Sequence, residues 1–534
     1  MRYQRYVRRR YLTITGYLGA MLMVIGGLLF VPLLVLPFYP EEADYSIDFI
    51  AVGAPLVVIG WLMWRRLRRS EGDPVSLTLQ EGMVVVLLVW VLAGLVTAVP
   101  MMMAGQLTFT QSVFESVSGL TTTGLSVVNV EEAPHILLFY RSLLQFAGGA
   151  GFAIIALSAL TGPAGAGLTA AEGRTEQLAP HVRQSAGIVL RIYLGYAVVG
   201  ILALRLAGMD WFDAVNHAFT ALATGGFSTR TESIGYYNNP AIEAVVIVLM
   251  LLGALNFLTA YTLFRGRLKA VAHNGEVRTQ ALILGIAIPA MLIITTAPLY
   301  TDTGVAVRTA IFETVSALTG TGFTSVTYVN WNAFGVFLII LLMTTGGGVG
   351  STAGGLKLLR VYVMFKAIRW EFRRAFLPAH TVNEPSIWQG EDRSFLTDFV
   401  VRRVALYVFF YMVVLAIGTL IVAAHGYSLR DSLFEYASAL GTVGLSVGVT
   451  APDAAETLLW SQTVGMLLGR LEFFAVFIGI AKLVIDLRVI FGRPKPEHEP
   501  VDNPAVFRPV EMTQARLERE KTARETEDTR FEGL

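Results

Sequence analysis

A chain of 534 residues that is 54% hydrophobic, only 15% charged and has a mean hydropathy of +0.59 is too apolar for a water-soluble protein, and its composition is that of a polytopic membrane protein. A net charge of +1 gives no case for nucleic acid as a partner. The absence of cysteine excludes disulfides and thiolate metal sites.

Residues 1–10 (MRYQRYVRRR) carry five arginines and abut an apolar run over about 11–37. No small-residue cleavage site follows, so the run is expected to be a retained helix whose arginine-rich start stays in the cytoplasm. An acidic loop with Glu41, Glu42 and Asp44 follows outside, then a second apolar run over about 47–64, and Arg65, Arg66, Arg68 and Arg69 bring the chain back in. Residues 1–70 thus form a peripheral helix pair that precedes a set of repeats.

The stretch FESVSGLTTTG, at 114–124, recurs three more times. Anchored on a leucine four places before a glycine, the copies end as LTTTG (120–124), LATGG (222–226), LTGTG (318–322) and LGTVG (440–444). Phe114, Phe312 and Phe434, each followed by Glu, open three copies; the second has Asn216 and His217 there. The copies lie between long apolar runs and about 100 to 120 residues apart, a spacing diagnostic of internal repeats. The expected fold is therefore all-α, with four pseudo-symmetric repeats of helix, pore loop and helix around a central pore. Repeat one spans 71–165 (loop 107–126), repeat two 166–268 (loop 211–229), repeat three 269–385 (loop 304–325) and repeat four 386–492 (loop 428–448). Within repeat one, the outer helix is expected at about 81–99 and the inner helix at 135–160, with Arg141 and a cluster of Gly148, Gly149, Ala150 and Gly151 suited to close helix packing. Repeat two is expected to have helices at about 187–208 and 240–264. Basic residues cluster in the inner loops (Arg174, Arg183; Arg265, Arg267, Lys269, Arg278) and are scattered outside (Arg230, Arg308, Arg430), which makes both termini cytoplasmic. The count is ten crossings and four re-entrant loops.

Non-helical backbone inside a bilayer is tolerated only where protein or a water-filled cavity satisfies it, so each loop should line a pore. Rings of backbone carbonyls can replace a cation's hydration shell, and glycine permits the backbone angles that turn successive carbonyls to one axis. The short helices also aim their negative C-terminal ends at the pore. The expected substrate is a dehydrated monovalent cation, with Thr123, Thr224, Thr321 and Thr442 adding oxygens.

The last helix of repeat three begins near Ala333 and then reads TTGGGVGSTAGGLK at 344–357. Gly346, Gly347, Gly348, Gly350, Gly354 and Gly355 disfavour a helix, at about 1 kcal/mol each against Ala. The break lies about 18 Å into the segment, near mid-bilayer. With Ser351 and Thr352 it would form a flexible gate beneath the ring, or else a static kink. Arg470 lies about 20 Å into the final helix, a depth at which an arginine should face a cavity or a partner. It would be a positive barrier below the loops, in contact with the glycine segment, or else an ion-paired or snorkelling side chain. Glu472, two places on, faces elsewhere on the helix and is a poor partner for it. Glu115, Glu313 and Glu435 could bind loop-end amides or cap their helices. His217 is expected to be hydrogen-bonded scaffold. No catalytic or metal-ligand cluster is evident, so the chain is expected not to be an enzyme. The cytoplasmic loop 370–393 and the charged tail 493–534 could meet a partner.

These loops, with SLLQFAGGAGF (142–152), GMDWFDA and GGFSTR (within 208–230), GSTAGGLK (350–357) and GRLEFF (469–474), resemble the Trk/Ktr/HKT superfamily of potassium transporters, and the bacterial Trk type most closely. The resemblance covers about 80–490. It implies a potassium uptake pore in the cell inner membrane. Its filter would comprise Thr122, Thr123, Gly124; Thr224, Gly225, Gly226; Gly320, Thr321, Gly322; and Thr442, Val443, Gly444, with K⁺ on the carbonyls of Thr123, Gly124, Gly225, Gly226, Thr321, Gly322, Val443 and Gly444. It also implies a gate of the glycine segment with Arg470, a homodimer, and a cytoplasmic ring of nucleotide-binding regulatory subunits, K⁺ being the transported ion and no organic cofactor being held by this chain. Glycine at all four filter positions, Gly124 included, accompanies K⁺ preference in the family. Ala353 departs from a segment that is often richer in glycine. The competing expectations are a Na⁺- or H⁺-coupled symporter of the same architecture and a secondary transporter of an organic solute.

Overall fold

The computed structural model describes residues 2–68, 78–151, 182–378, 385–389 and 392–492. The tail 493–534, the loop with Arg174 and the expected continuation of the first inner helix past 151 lie outside these. The protein is an all-α polytopic membrane protein, and its one sheet among the described residues is the two-stranded hairpin β1 (Ser386–Gln389) and β2 (Asp392–Phe395), at the end of the charged loop expected at 370–393. By contacts the chain falls into a large unit, Tyr11–Ile480, and a small one whose described residues are 2–10 and 481–492. In the small unit, Gln4 Nε2 donates to the Ile490 carbonyl (2.8 Å) and Lys482 pairs with Asp486 (2.9 Å).

Among the described residues, six uninterrupted helices are long and apolar enough to cross a membrane. They are built on the peripheral pair, α1 (Arg2–Leu28) and α2 (Ser46–Arg68), and the outer helices of the repeats, α3 (Leu79–Ala104), α6 (Val182–Leu206), α10 (Gly275–Met291) and α14 (Asp398–Ala423). Each carries a long, strongly apolar stretch with few charges, as a helix in lipid requires. Burial separates them by place: 61% of the α3 window is inside the protein but only 17% of the α2 window, so α3 is enclosed and α2 is peripheral. The pair is nevertheless tied to repeat one. Glu42, in the turn between α1 and α2, accepts from the backbone N–H of His135 (2.7 Å) and Ile136 (2.9 Å) and so satisfies the N-terminus of α5 (His135–Ala150).

After each outer helix comes a short one: α4 (Phe109–Leu120), α7 (Trp211–Leu222), α11 (Thr303–Thr319) and α15 (Leu429–Gly441). Each starts on a side-chain cap legible in the sequence: Thr108, Asp210, Asp302 and Ser428 accept from N–H groups of the first turn. At 12 residues, α4 is about 18 Å long, half a bilayer. The inner helices are α5, α8 (Pro240–Ala254), α12 (Ala333–Thr345) and α16 (Glu456–Leu471).

The inner helices correct one expectation. The sequence suggests a single broken helix, in repeat three, yet interruptions occur in others too. In repeat two the run expected over 240–264 is two helices, α8 and α9 (Phe257–Phe264), bent by 117°. In repeat four α16 is separated from α17 (Phe473–Ile490) by Glu472, which is left-handed at φ 63°. α5 closes on Gly151 at φ 70°. Repeat three inserts a long loop, 346–357, before the chain resumes as α13 (Leu358–Arg374). The breaks have a common packing context. A Cβ on Gly148, Gly253 or Gly469 would run into the carbonyl of Leu120, Leu222 or Leu440, so the three inner helices meet the ends of the short helices backbone to backbone.

Candidate ion-conduction site

The four short helices end in one backbone motif. The N–H groups of Thr123, Gly225, Thr321 and Val443 reach back to the carbonyls of Ser118 (2.9 Å), Thr220 (2.8 Å), Ser316 (3.0 Å) and Ser438 (2.9 Å). Those of Thr122, Thr224, Gly320 and Thr442 bond the carbonyls of Gly119, Ala221, Ala317 and Ala439. These are Schellman closures, and they require a left-handed residue just past the helix. That residue is Thr122 (φ 57°), Thr224 (51°), Gly320 (70°) and Thr442 (51°). A left-handed threonine costs about 1–3 kcal/mol and persists only where its surroundings over-determine it, typically at a ligand clamp. Two residues later each chain turns left-handed again, at Gly124 (94°), Gly226 (72°), Gly322 (82°) and Gly444 (97°).

The four glycines form a closed ring. A Cβ on Gly124 would strike the Gly225 carbonyl, one on Gly226 the Thr321 carbonyl, one on Gly322 the Val443 carbonyl, and one on Gly444 the Thr123 carbonyl. Each loop thus rests its glycine on the main-chain oxygen of the next, in the order one, two, three, four and back to one. The oxygens that these four glycines meet are all main-chain carbonyls.

A second shell of bonds holds the return strands. At the same place before each glycine stand Glu115, His217, Glu313 and Glu435. Glu115 accepts from Ser126 Oγ (3.0 Å), Val127 N–H (3.1 Å) and Arg141 Nε (2.6 Å). Glu313 accepts from the N–H (2.7 Å) and hydroxyl (2.8 Å) of Ser325 and from the Tyr328 hydroxyl. Glu435 accepts from Ser446 Oγ (2.8 Å) and the N–H groups of Val447 (3.2 Å) and Thr450 (3.0 Å). In the departing repeat, His217 Nδ1 donates to the Asp213 carbonyl (2.8 Å) and Nε2 pairs with Ser228 (2.9 Å). The carboxylates therefore bind loop amides rather than cap their own helices, and His217 occupies the same station.

The glycine loop 346–357 crosses directly beneath this ring. The Thr352 hydroxyl donates to the Gly253 carbonyl (2.9 Å) and pairs with the Thr224 hydroxyl (2.9 Å), while its carbonyl accepts from the Thr122 hydroxyl (3.3 Å). A Cβ on Gly354 would collide with the Thr442 hydroxyl, and one on Gly320 would lie 3.6 Å from Ala353 Cβ. All four left-handed positions thus abut residues 352–354. The loop is moored from below as well. Gly348 N–H bonds the Ala254 carbonyl (2.9 Å), an acceptor freed by the bend in repeat two, and Val349 N–H bonds Glu276 (2.8 Å). Arg470 joins three repeats, donating to the carbonyls of Thr352 and Gly148 (2.7 Å for Gly148).

Residues 56–484 match the family described as TrkH, cation transport protein. This chain belongs to that family. It is 31% identical to the Trk system potassium uptake protein TrkH of Escherichia coli, over 87% of this chain and 97% of the relative, and 30% identical to TrkG of the same species, over 84% and 93%. Its fold is similar to the crystal structure of the potassium transporter TrkH from Vibrio parahaemolyticus, with a TM-score of 0.76 and 28% identity over 88% of this chain and 98% of that one.

In this TrkH family member several site residues escape sequence reasoning. Gln145 of α5 donates to the Gly225 carbonyl (2.6 Å) and accepts from Phe227 N–H (3.1 Å), and nothing local announces that link. Serine Oγ atoms of α4 and α15, Ser118 and Ser438, receive the N–H of Gly124 (3.1 Å) and Gly444 (3.0 Å); the signal available was a serine six places before each glycine. Glu472 pairs not with Arg470 but with Arg360 of α13 (2.7 Å), whose guanidinium also lies 3.7 Å from the Tyr407 ring centroid. This pair ties the helix that follows the glycine loop to the break in repeat four. Arg360→Leu leaves Glu472 without that partner. The expected loss is about 3 kcal/mol, the low end for breaking a buried pair because this one is only partly buried and Lys357 and Arg403 also act on Glu472. Thermal melting in detergent reads it, and an unchanged melt shows the pair to be dispensable.

Proposed function

We propose that this protein carries out potassium uptake across the cell inner membrane through a channel-like pore, and that it is not an enzyme. The observation that carries this reading is the closed ring in which four glycines meet four main-chain carbonyls, taken with relatives named as potassium uptake proteins. Carbonyl oxygens on such a ring replace part of the hydration shell of a cation of matching size. The filter comprises Thr122, Thr123, Gly124, Thr224, Gly225, Gly226, Gly320, Thr321, Gly322, Thr442, Val443 and Gly444. The gate is the segment with Gly346, Gly347, Gly348, Gly350, Ser351, Thr352, Gly354 and Gly355, latched by Arg470. K⁺ is the transported ion, and this chain itself holds no organic cofactor.

The arginine-rich start and the basic residues near Arg265 and Arg278 set both termini in the cytoplasm. The domain limits follow the repeats given above. Two copies of the chain form the working unit, and opening is driven by a cytoplasmic nucleotide-binding subunit, which pulls on the segments after the gate. Purified protein in liposomes should accumulate rubidium or potassium down an imposed gradient, with Na⁺ carried far more slowly. Absence of any cation flux, with and without cytoplasmic partner, overturns the proposal.

A further inference from the structure

The second loop lacks what the others have. At the position before the ring glycine, loops one, three and four carry Thr123, Thr321 and Val443, all β-branched and stiff, whereas loop two carries Gly225. In loops one and three that threonine hydroxyl pairs with the threonine two places earlier, Thr121 with Thr123 and Thr319 with Thr321, both at 2.8 Å. Loop two has Ala223 and Gly225 there, so no such pair can form. Two consecutive glycines after a left-handed threonine make this the loosest quarter of the ring.

The missing side chain is supplied by another repeat. A Cβ on Gly225 would lie 2.8 Å from Gln145 Nε2 and overlap the rest of that amide group. Gln145 therefore occupies the space that Thr123, Thr321 and Val443 fill with their own atoms. Its amide also spans Gly226, donating to the carbonyl before it and accepting from the N–H after it (2.6 and 3.1 Å). The demands of those two backbone groups fix the orientation of the amide. Among the described residues, Gly225 is the one member of its set of four whose carbonyl receives a side-chain donor.

The inner helices carry the reciprocal change. Counted from His135, Pro240, Ala333 and Glu456, the eleventh residues are Gln145, Met250, Met343 and Met466, all fully buried. Glutamine and methionine are close in length and volume, so the substitution in α5 adds a donor and an acceptor with little change of shape. Glutamine thus accompanies glycine at the one join, between repeats one and two, where loop two has no side chain of its own.

We propose that Gln145 is a positioning residue that sets cation specificity, by holding the Gly225 carbonyl at the radius its three counterparts keep through β-branched side chains. This rests on the filter assigned above. Without the amide, the glycine pair can follow a smaller ion inward, and discrimination against Na⁺ falls. The test is the K⁺ to Na⁺ flux ratio of the full-length protein in liposomes, each variant first shown to be monodisperse. Gln145→Met is expected to lower the ratio about tenfold, the scale of one lost buried hydrogen bond. Gly225→Thr alone forces a side chain into the Gln145 amide and also lowers it. Gly225 itself has negative φ, so a threonine fits its backbone once the amide is gone. The double variant Gln145→Met with Gly225→Thr gives loop two a β-branched residue before its ring glycine and α5 the methionine that the other three inner helices carry, and is expected to bring the ratio back toward the wild-type value. A ratio unchanged in Gln145→Met, or a double variant no better than the singles, overturns the inference. Should Gln145→Met fail to fold, Gln145→Glu keeps the acceptor for Phe227 and loses the donor to Gly225; a wild-type ratio there is equally fatal. A wild-type protein without K⁺ preference defeats instead the proposed function.

Discussion

Gly124→Ser is expected to lower the K⁺ to Na⁺ flux ratio by at least about tenfold, through two independent costs. The backbone at Gly124 sits at φ 94°, where an L-residue costs about 1–2 kcal/mol, so the chain tends to rotate out of its ring geometry. The added Cβ also meets the Gly225 carbonyl and comes within 3.2 Å of its carbon, so the neighbouring loop must retreat. Both movements displace main-chain oxygens on the ring, and 1.4 kcal/mol in the difference between two ions is already tenfold. Gly266→Ala is the control. It imposes a left-handed alanine at φ 72° with open space around it and away from the ring, and leaves the ratio as it was. Equal ratios for Gly124→Ser and wild type remove the ring from the filter.

Arg470→Ala is expected to raise cation flux measured without any cytoplasmic partner about tenfold or more. The guanidinium donates to carbonyls of two other repeats, Thr352 in the glycine loop and Gly148 in α5, and charge-assisted bonds of this kind contribute about 1.5–3 kcal/mol each. Removing them frees the loop on one side and leaves it held by Thr122, Thr224, Ala254 and Glu276 on the other, so the closed state weakens without the fold being lost. Arg470→Lys separates latching from simple charge repulsion. A lysine keeps the positive charge but cannot present the planar fork that reaches both carbonyls. Latching therefore predicts an intermediate rise, whereas a purely electrostatic barrier predicts wild-type flux. A flux unchanged in Arg470→Ala, with an unchanged melt, sinks the gating role.

Much of the site was legible because it is written in local chemistry. A leucine, three residues and a glycine, repeated four times between apolar runs, announces a helix end followed by a left-handed residue. Thr108, Asp210, Asp302 and Ser428 mark the matching helix starts. The glycines from Gly346 to Gly355 announce a break because each one weakens a helix irrespective of its surroundings. The breaks in repeats two and four went unread for the converse reason. Leu255 and Glu472 are ordinary helix residues; at Leu255 the freed carbonyls of Gly253 and Ala254 are claimed by the glycine loop of repeat three, about a hundred residues away. Glu472 was rightly excluded as a partner for Arg470 by helix geometry, but its real partner, Arg360, is 112 residues distant.

By itself, the sequence determined the class of the protein, its fourfold repetition, the ends of the four short helices and the glycine break of repeat three, since hydropathy, capping and glycine content act within a few residues. Only the tertiary structure decided that each glycine seats on the next loop's carbonyl, that Gln145 completes the second loop from the first repeat, and that residues 352–354 lie across all four left-handed positions. Those contacts join residues from about 30 to about 320 apart, and whether two such groups meet depends on how whole helices pack, a property to which no single stretch of the chain is sensitive.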